Sequence, residues 1–311
     1  MADLSLTAFW LALTATAVAV LLYWGYALGL RLVLRRLATD GGGGPTVATL
    51  DLAGPHALPD SLGRLGSLAA WTAAAFLALS LFARWRAVGH APWSNMWEFT
   101  VAFAGAVMAF HLAFQRFYGR GQTPVGQRLR TARMLGAVIQ PLILGLLAVA
   151  AAFFPSHVRP LVPALQNQDL LAAHVAMMIL SYGALSVSFA AGAMYLVQGP
   201  QSRFSRLPRA RLLDEIGYRS VMVGFPLLAL GIALGAYWGN SAWGRYWGWD
   251  PKETSALVTW LIYGVYLHMR GLRGWSGTRA AVVLVIGFAA VLFTYFAVNL
   301  WVSGLHSYAG V

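Results

Sequence analysis

Residues Leu4–Leu30 read LSLTAFWLALTATAVAVLLYWGYALGL, starting just after Asp3 and stopping just before Arg31 without one charged side chain. At 1.5 Å rise per residue, a helix of this length crosses the roughly 30 Å hydrocarbon core of a bilayer. A signal peptide would open on basic residues and carry a shorter apolar run, whereas MADLSLTAFW contains no Lys or Arg. The stretch therefore reads as a retained transmembrane helix, and it sets the class for everything downstream.

Seven more apolar spans follow, at roughly 65–83, 96–115, 134–154, 170–197, 218–238, 254–269 and 280–302. Of the 311 residues, 59% are hydrophobic and 10% charged, and the mean hydropathy is +0.64. A soluble domain carries roughly 25% charged residues. The expected fold is all-α: one polytopic membrane bundle over residues 1–311, with about eight transmembrane helices. The chain has no cysteine. That excludes a disulfide framework, a thiolate metal site, thiol redox chemistry and a CxxCH attachment motif of its own.

The net charge of +12 is explained by topology. Seventeen basic residues fall in alternate connections: Arg31, Arg35, Arg36 and Arg64; five from Arg116 to Arg133; five from Arg203 to Arg219; and Arg270, Arg273 and Arg279. The other side receives only Arg84, Arg86, Arg159, Arg245 and Lys252. Cytoplasmic loops retain Lys and Arg, so both termini are expected outside a bacterial-type cytoplasmic membrane. No nucleic-acid partner is required. The Gly- and Pro-rich segment Thr39–Asp60 reads as a flexible cytoplasmic linker, and His56 reads as a loop residue within it.

Between two apolar spans lies Tyr237–Thr254, YWGNSAWGRYWGWDPKET. Trp and Tyr gather at membrane interfaces, and that account suits scattered rings such as Trp10, Trp71, Trp93, Trp97 and Trp275. It suits this stretch less well, because Trp238, Trp243, Trp247 and Trp249 crowd one connection, taken as an extracytoplasmic loop over 238–253. Gly239, Gly244 and Gly248 allow close backbone approach to a flat ligand, and indoles offer it stacking area. Arg245 and Lys252 are the cations at hand for carboxylates. Asp250, Pro251 and Glu253 form a capping-box pattern that opens the next helix.

The same topology sorts the histidines. His90, His157, His174 and His306 fall on the outer side, and His111 and His268 fall near inner ends of spans. A lone histidine at a membrane edge is usually an interfacial hydrogen-bonder. His90 and His157 read as loop residues and His111 as structural. His174 and His306 differ, because helix ends hold them on the face of the tryptophan stretch. Two neutral imidazoles can supply both axial ligands of a heme iron. His268 lies about 21 Å from Thr254 along its helix, so it belongs to a second, inner site or caps its own helix end.

WGRYWGWDPKET, followed by SALVTWLIYGVYLHMR, resembles the WWD signature of heme-handling membrane proteins, and most closely the CcsA (ResC) branch of system II cytochrome c biogenesis. APWSNMWEF (Ala91–Phe99) resembles that family's outer-loop motif. PALQNQDLLAAHVAMMILSYGA (Pro163–Ala184) and GLHSYAG resemble the segments holding its two external histidines. The resemblance implies His174 and His306 as external axial ligands of heme b. It also implies His268 as a transmembrane ligand of the iron. Trp238, Trp243, Trp247, Trp249 and Asp250 would form the heme platform, with Arg245 and Lys252 placed for the propionates.

The implied partners are a CcsB/ResB-like membrane subunit, a CxxCH apocytochrome c and membrane lipid. The implied reaction is thioether attachment by a holocytochrome-c synthase of which this chain is one component. No acid–base pair for thiol addition can be read from the residues. Two alternatives stay open: a heme exporter or chaperone without attachment activity, and a membrane enzyme acting on a lipid or quinone.

Overall fold

The computed structural model describes residues 1–29, 61–118, 125–158, 165–166 and 168–306. The linker Thr39–Asp60 and His56 lie outside these residues, as do Arg31, Arg35, Arg36, Arg120 and Arg159. The described chain forms eight long helices and no strand: α1 (Ala2–Leu28), α2 (Ser61–Val88), α3 (Met96–Tyr118), α4 (Val125–Phe153), α5 (Gln168–Gln198), α6 (Ala210–Trp243), α7 (Pro251–Arg273) and α8 (Thr278–Leu292). α8 continues through a π-helical turn, Phe293–Ala297, into Val298–Leu300.

Seven of these spans are long and apolar enough to cross a membrane. α7 has the length, with 23 residues, but Lys252, Glu253, His268, Arg270 and Arg273 leave it more polar than the others. The helix ends follow ordinary capping chemistry. Gly29, Gly244 and Gly274 close α1, α6 and α7 in the left-handed conformation, with φ of 76°, 72° and 59°.

α3 is the centre of the bundle: 67% of its apolar window is buried, against 22–50% for the other spans. α5 and α6 make the most extensive helix pair, followed by α1 and α2. On α1, α2 and α6, large apolar side chains such as Leu21, Leu68 and Leu230 are exposed, which is the surface lipid would cover.

One expectation is corrected here. The tryptophan stretch is not a loop over 238–253, because α6 continues through Trp243 and the connection to α7 covers only 244–250. Gly239, Asn240 and Ser241 are weak helix formers, yet the helix holds through them. Trp238 is 1% exposed, and its burial outweighs the small propensity penalties of those three residues. It packs in an apolar cluster with Ala102 and Ala106 of α3 and Leu171 and Val175 of α5, bordered by Trp93 and Trp243.

The WSNMWEF segment is also resolved as architecture. Asn95 Oδ1 accepts the Glu98 backbone N–H at 3.0 Å, and Glu98 Oε2 accepts the Ser94 N–H and hydroxyl, both at 2.8 Å. Glu98 Oε1 takes Arg84 Nε at 2.7 Å with both side chains 1% exposed. Arg84 also donates to the Ser156 carbonyl at 2.6 Å and lies over the Trp97 ring. The motif therefore ties the ends of α2, α3 and α4 together beside the tryptophan cluster.

Candidate functional site

His174 sits in the second turn of α5 and faces α6. Its Nδ1 meets the Gly231 carbonyl at 2.7 Å, so Nδ1 carries the proton and Nε2 keeps its lone pair. This carbonyl contact depends on Gly235, one turn further along α6. A Cβ there would come within 2.7 Å of His174 Cε1, so a side chain at this position would push the imidazole away from the helix.

His306 arrives from the far end of the chain, past α8. Its Nδ1 meets Asp250 Oδ2 at 2.7 Å, while Asp250 Oδ1 accepts the Leu305 N–H at 2.6 Å. Gly304 permits this closure, because a Cβ at that position would stand 2.6 Å from Asp250 Oδ1. Burial on its own would raise the Asp250 carboxyl. The hydrogen bonds from His306 and from the Leu305 and Lys252 N–H groups outweigh it and hold the group down at about 2. Burial pushes the His306 imidazole below its ordinary value, against the opposing pull of Asp250. His306 is thus neutral at pH 7, with its proton on Nδ1 facing a carboxylate and its lone pair on Nε2. A carboxylate or carbonyl behind each ring is the arrangement that orients metal-binding histidines.

Asp250 does a second task at the same time. It is the N-cap of α7, with a complete capping box: its side chain accepts the Lys252 N–H at 3.1 Å, and Glu253 Oε2 accepts the Gly248 and Asp250 N–H groups at 2.8 and 3.1 Å. The expected cap is present, and it also aims the residue that holds His306. The residue just before it, Trp249, has φ of 55°, a strained conformation for a bulky side chain that the capping box locks in place.

His174 and His306 line one partly open cleft together with Met178, Trp247, Lys252 and Glu253. Trp238 stands behind both imidazoles. Its ring lies parallel to His174, 3° between planes at 6.3 Å, and 6.0 Å from His306. Trp243 meets His306 edge-on at 4.8 Å. The four tryptophans thus occupy different positions rather than forming one platform. Trp238 is buried, Trp243 braces His306, Trp247 lines the cleft, and Trp249 is 69% exposed at 5.7 Å from Trp247.

The two cations separate in the same way. Lys252 faces the cleft and donates to Asn299 Oδ1 at 2.7 Å. Arg245 is exposed and folds over Gly248 outside the cleft lining. His268 is not brought to this site: it lies exposed near the other end of α7. His111 is fully buried in α3 against Gln115 and the Tyr23 ring, as a structural histidine would be.

Sequence reasoning missed Asn299, Thr294 and the Gly231/Gly235 pair. The glycines sit four residues apart, and that spacing was a usable sign of close approach to one helix face. The other two depend on the π turn in α8. This turn sets Thr294 into the cleft wall and Asn299 against Lys252, and such turns recur at functional sites.

A donor set of two oriented neutral imidazoles, an apolar and aromatic wall and one lysine fits a metalloporphyrin with anionic side groups better than a bare metal ion. Among the described residues, no group of three or more His, Cys, Asp or Glu could hold a metal ion.

Residues 65–306 match the family described as Cytochrome C assembly protein. The chain is 38% identical over 240 residues to the cytochrome c biogenesis protein CcsA of Chlamydomonas reinhardtii, covering 75% of this chain and 65% of that protein. It is 36% identical over 283 residues to CcsA of Synechococcus elongatus, covering 75% and 83%. To CcsA of Microcystis aeruginosa it is 35% identical over 298 residues, covering 78% and 87%. The chain thus spans just under two thirds of the algal relative's length and over four fifths of these cyanobacterial ones. With its seven membrane-length apolar spans, it is an integral membrane protein. The chain belongs to the CcsA family of cytochrome c assembly proteins.

Proposed function

We propose that this chain is the heme-presenting subunit of a system II cytochrome c synthase. In this reading heme b is the substrate, held at the cleft by Nε2 of His174 and Nε2 of His306 while CxxCH apocytochrome c approaches. The observation that carries it is the pairing of the two imidazoles in one cleft. Each is fixed through Nδ1 by a separate acceptor, the Gly231 carbonyl and the Asp250 carboxylate.

The roles divide along the geometry. Trp247 offers a face inside the cleft, Trp238 and Trp243 brace the ligands from behind, and Lys252 is the cation placed for a propionate. Thioether formation adds each cysteine S–H across a vinyl C=C. The sulfur bonds to one carbon, the hydrogen ends on its neighbour, and no oxidant is consumed. The contribution of this chain is orientation, by holding ring and vinyl edge at a fixed angle to the incoming peptide. A CcsB/ResB-like subunit completes the complex, and His268 serves heme in the membrane on its way to the cleft. The cleft and both termini face the extracytoplasmic side, in line with the distribution of the 22 basic residues.

The test is co-expression with a CcsB/ResB-type partner and a CxxCH apocytochrome. The purified complex should show the absorption bands of six-coordinate low-spin iron. His174→Gly and His306→Gly should each lose those bands and regain them with added imidazole, and covalent holocytochrome should fall with them. Full heme with an unchanged spectrum in both variants would remove the cleft from the reaction. Heme binding without holocytochrome in the wild type would favour an exporter or chaperone.

A further inference from the structure

A second cavity lies at the other end of the bundle, far from the histidine cleft. It is a groove of about 660 Å³, open to the outside, between the last turns of α3 and the first half of α6. Phe110, Phe114 and Phe117 form one wall, Ile216 and Val223 the other, and Ala184 and Val187 of α5 the floor. From Ile216 to Gly235, where α6 meets His174, the helix rises about 28 Å.

Arginines bound this groove at its mouth. Arg128 lies over the Tyr118 ring at 5.5 Å, Arg219 pairs with Glu215 at 2.6 Å, and Arg209 is exposed. Arg209 and Leu212 also line an adjoining, smaller pocket of about 200 Å³ whose other walls include Arg130, Ser205 and Arg206. An apolar trough therefore opens directly onto a polar, cationic pocket, with Arg209 at the junction. Glu215 is the only carboxylate among the described residues lining either cavity, and Arg219 already engages it.

We infer that this composite cavity binds an anionic phospholipid, with acyl chains in the trough and the phosphate among Arg128, Arg130 and Arg209. The chemistry selects this occupant. Long aliphatic chains need an apolar trough that reaches into the bilayer, and basic pockets between membrane helices receive anionic headgroups. A porphyrin also joins an apolar body to acids, but the described lining of the trough offers its iron no histidine or methionine, and Met134 of the adjoining pocket is buried. A partner's transmembrane helix would fill the trough and leave the cationic pocket without a counter-charge. The site shares no lining residue with the histidine cleft, so either can fail while the other stands.

The full chain, purified in detergent, is titrated with phosphatidylglycerol and with phosphatidylcholine of the same acyl chains. Bound lipid is read by native mass spectrometry and by thermal melting. Phosphatidylglycerol should bind at least tenfold more tightly and raise the melting temperature. Arg128→Gln with Arg209→Gln should erase that preference while changing the melting temperature without lipid only slightly, since Arg209 is exposed and Arg128, half-buried, makes a single ring contact with Tyr118. Val223→Trp, at a half-exposed position of the trough wall, should reduce binding of both lipids.

Equal binding of the two lipids would overturn the inference, and so would an unchanged preference in the double arginine variant. Equimolar displacement of phosphatidylglycerol by hemin would assign the groove to the porphyrin instead. Full competition by inorganic phosphate would reduce it to an anion site. A co-purifying stoichiometric protein released by Val223→Trp would make it a protein interface.

Discussion

Two helices at the same end of this bundle start in nearly the same way. α3 opens on Asn95 with Glu98 three residues later, and α7 opens on Asp250 with Glu253 three residues later. In both, the glutamate reaches back to backbone N–H groups of the preceding loop, and in both a carboxylate of the box engages a basic side chain from distant sequence. The difference is which base arrives. Arg84 is a permanent cation, paired with Glu98 where both side chains are buried. His306 is a neutral imidazole whose second nitrogen remains an acceptor while Asp250 holds the first. The same local motif thus serves as a structural lock at α3 and, under the proposed function, as a ligand holder at α7.

The sharpest way to break that comparison is to remove the lock. Glu98→Gln leaves the buried Arg84 without its counter-charge, and breaking such a pair from one side costs about 3–5 kcal/mol. Thermal unfolding in detergent should register it as a large drop. The low-spin iron spectrum should persist in whatever fraction folds. A spectrum lost while the fold survives would mean that α3 belongs to the ligand site and that the two helix starts do not differ in role.

The next effect belongs to the other histidine. Gly235→Ala brings a methyl within 2.7 Å of His174 Cε1, and overpacking of this kind costs about 1–3 kcal/mol. Unlike Glu98→Gln, it should change the spectrum as well as the melting temperature, because the imidazole must move away from the Gly231 carbonyl. An unchanged spectrum would show that His174 has room the structure does not give it.

Asp250→Ala follows, with a smaller cost to the fold. Losing an N-cap costs about 1 kcal/mol, far less than losing the α3 lock. Its effect on iron should be larger in proportion, since removing the group that orients a ligating histidine typically weakens metal binding about 10–100-fold. A variant that melts several degrees lower yet binds heme as the wild type does would reduce Asp250 to a cap alone.

These contrasts also show where the sequence could be read and where it could not. The spans were legible because a membrane helix must be apolar along its whole length, so even the 27 residues of α1 announce themselves. The capping box at Asp250 was legible because its residues are adjacent. The bond from Asp250 to His306 was not, since it joins positions 56 apart and depends on how the chain turns after α8. The helical state of Trp238 and Trp243 was hidden for a related reason. Local propensity around Gly239–Ser241 argues for a loop, and only the tertiary burial of Trp238 reverses it. His174 and His306 were paired by topological side and by family resemblance. What the fold adds is the identity of each ring's acceptor and the separation of Lys252 from Arg245.

The smallest expected effect is a pH dependence, and its sign separates the two helix starts. Burial sets the folded-state value of His306 below the roughly 6.5 of an unperturbed imidazole. Above about 6.5 both folded and unfolded chains hold this ring neutral, and it contributes no slope. As pH falls through about 6.5 the unfolded chain takes up the proton first, so stability declines until the folded value is reached. Asp250 adds to this at stronger acid: its folded value of about 2 lies below the roughly 3.9 of a free aspartate. Its stabilisation is present above 3.9 and lost as pH falls toward 2. Iron ligation through His306 Nε2 should therefore be flat from pH 8 to 6.5 and weaken only on the acid side, as protons compete for that nitrogen. A spectral titration of the heme-loaded complex, run beside Asp250→Asn, reads this directly. Asparagine keeps the cap but removes the carboxylate that favours the charged ring, so its acid limb should shift to lower pH. Loss of the low-spin bands already between pH 8 and 7 would mean that His306 is protonated near neutrality, and that its pair with Asp250 is an ion pair like the one at Glu98.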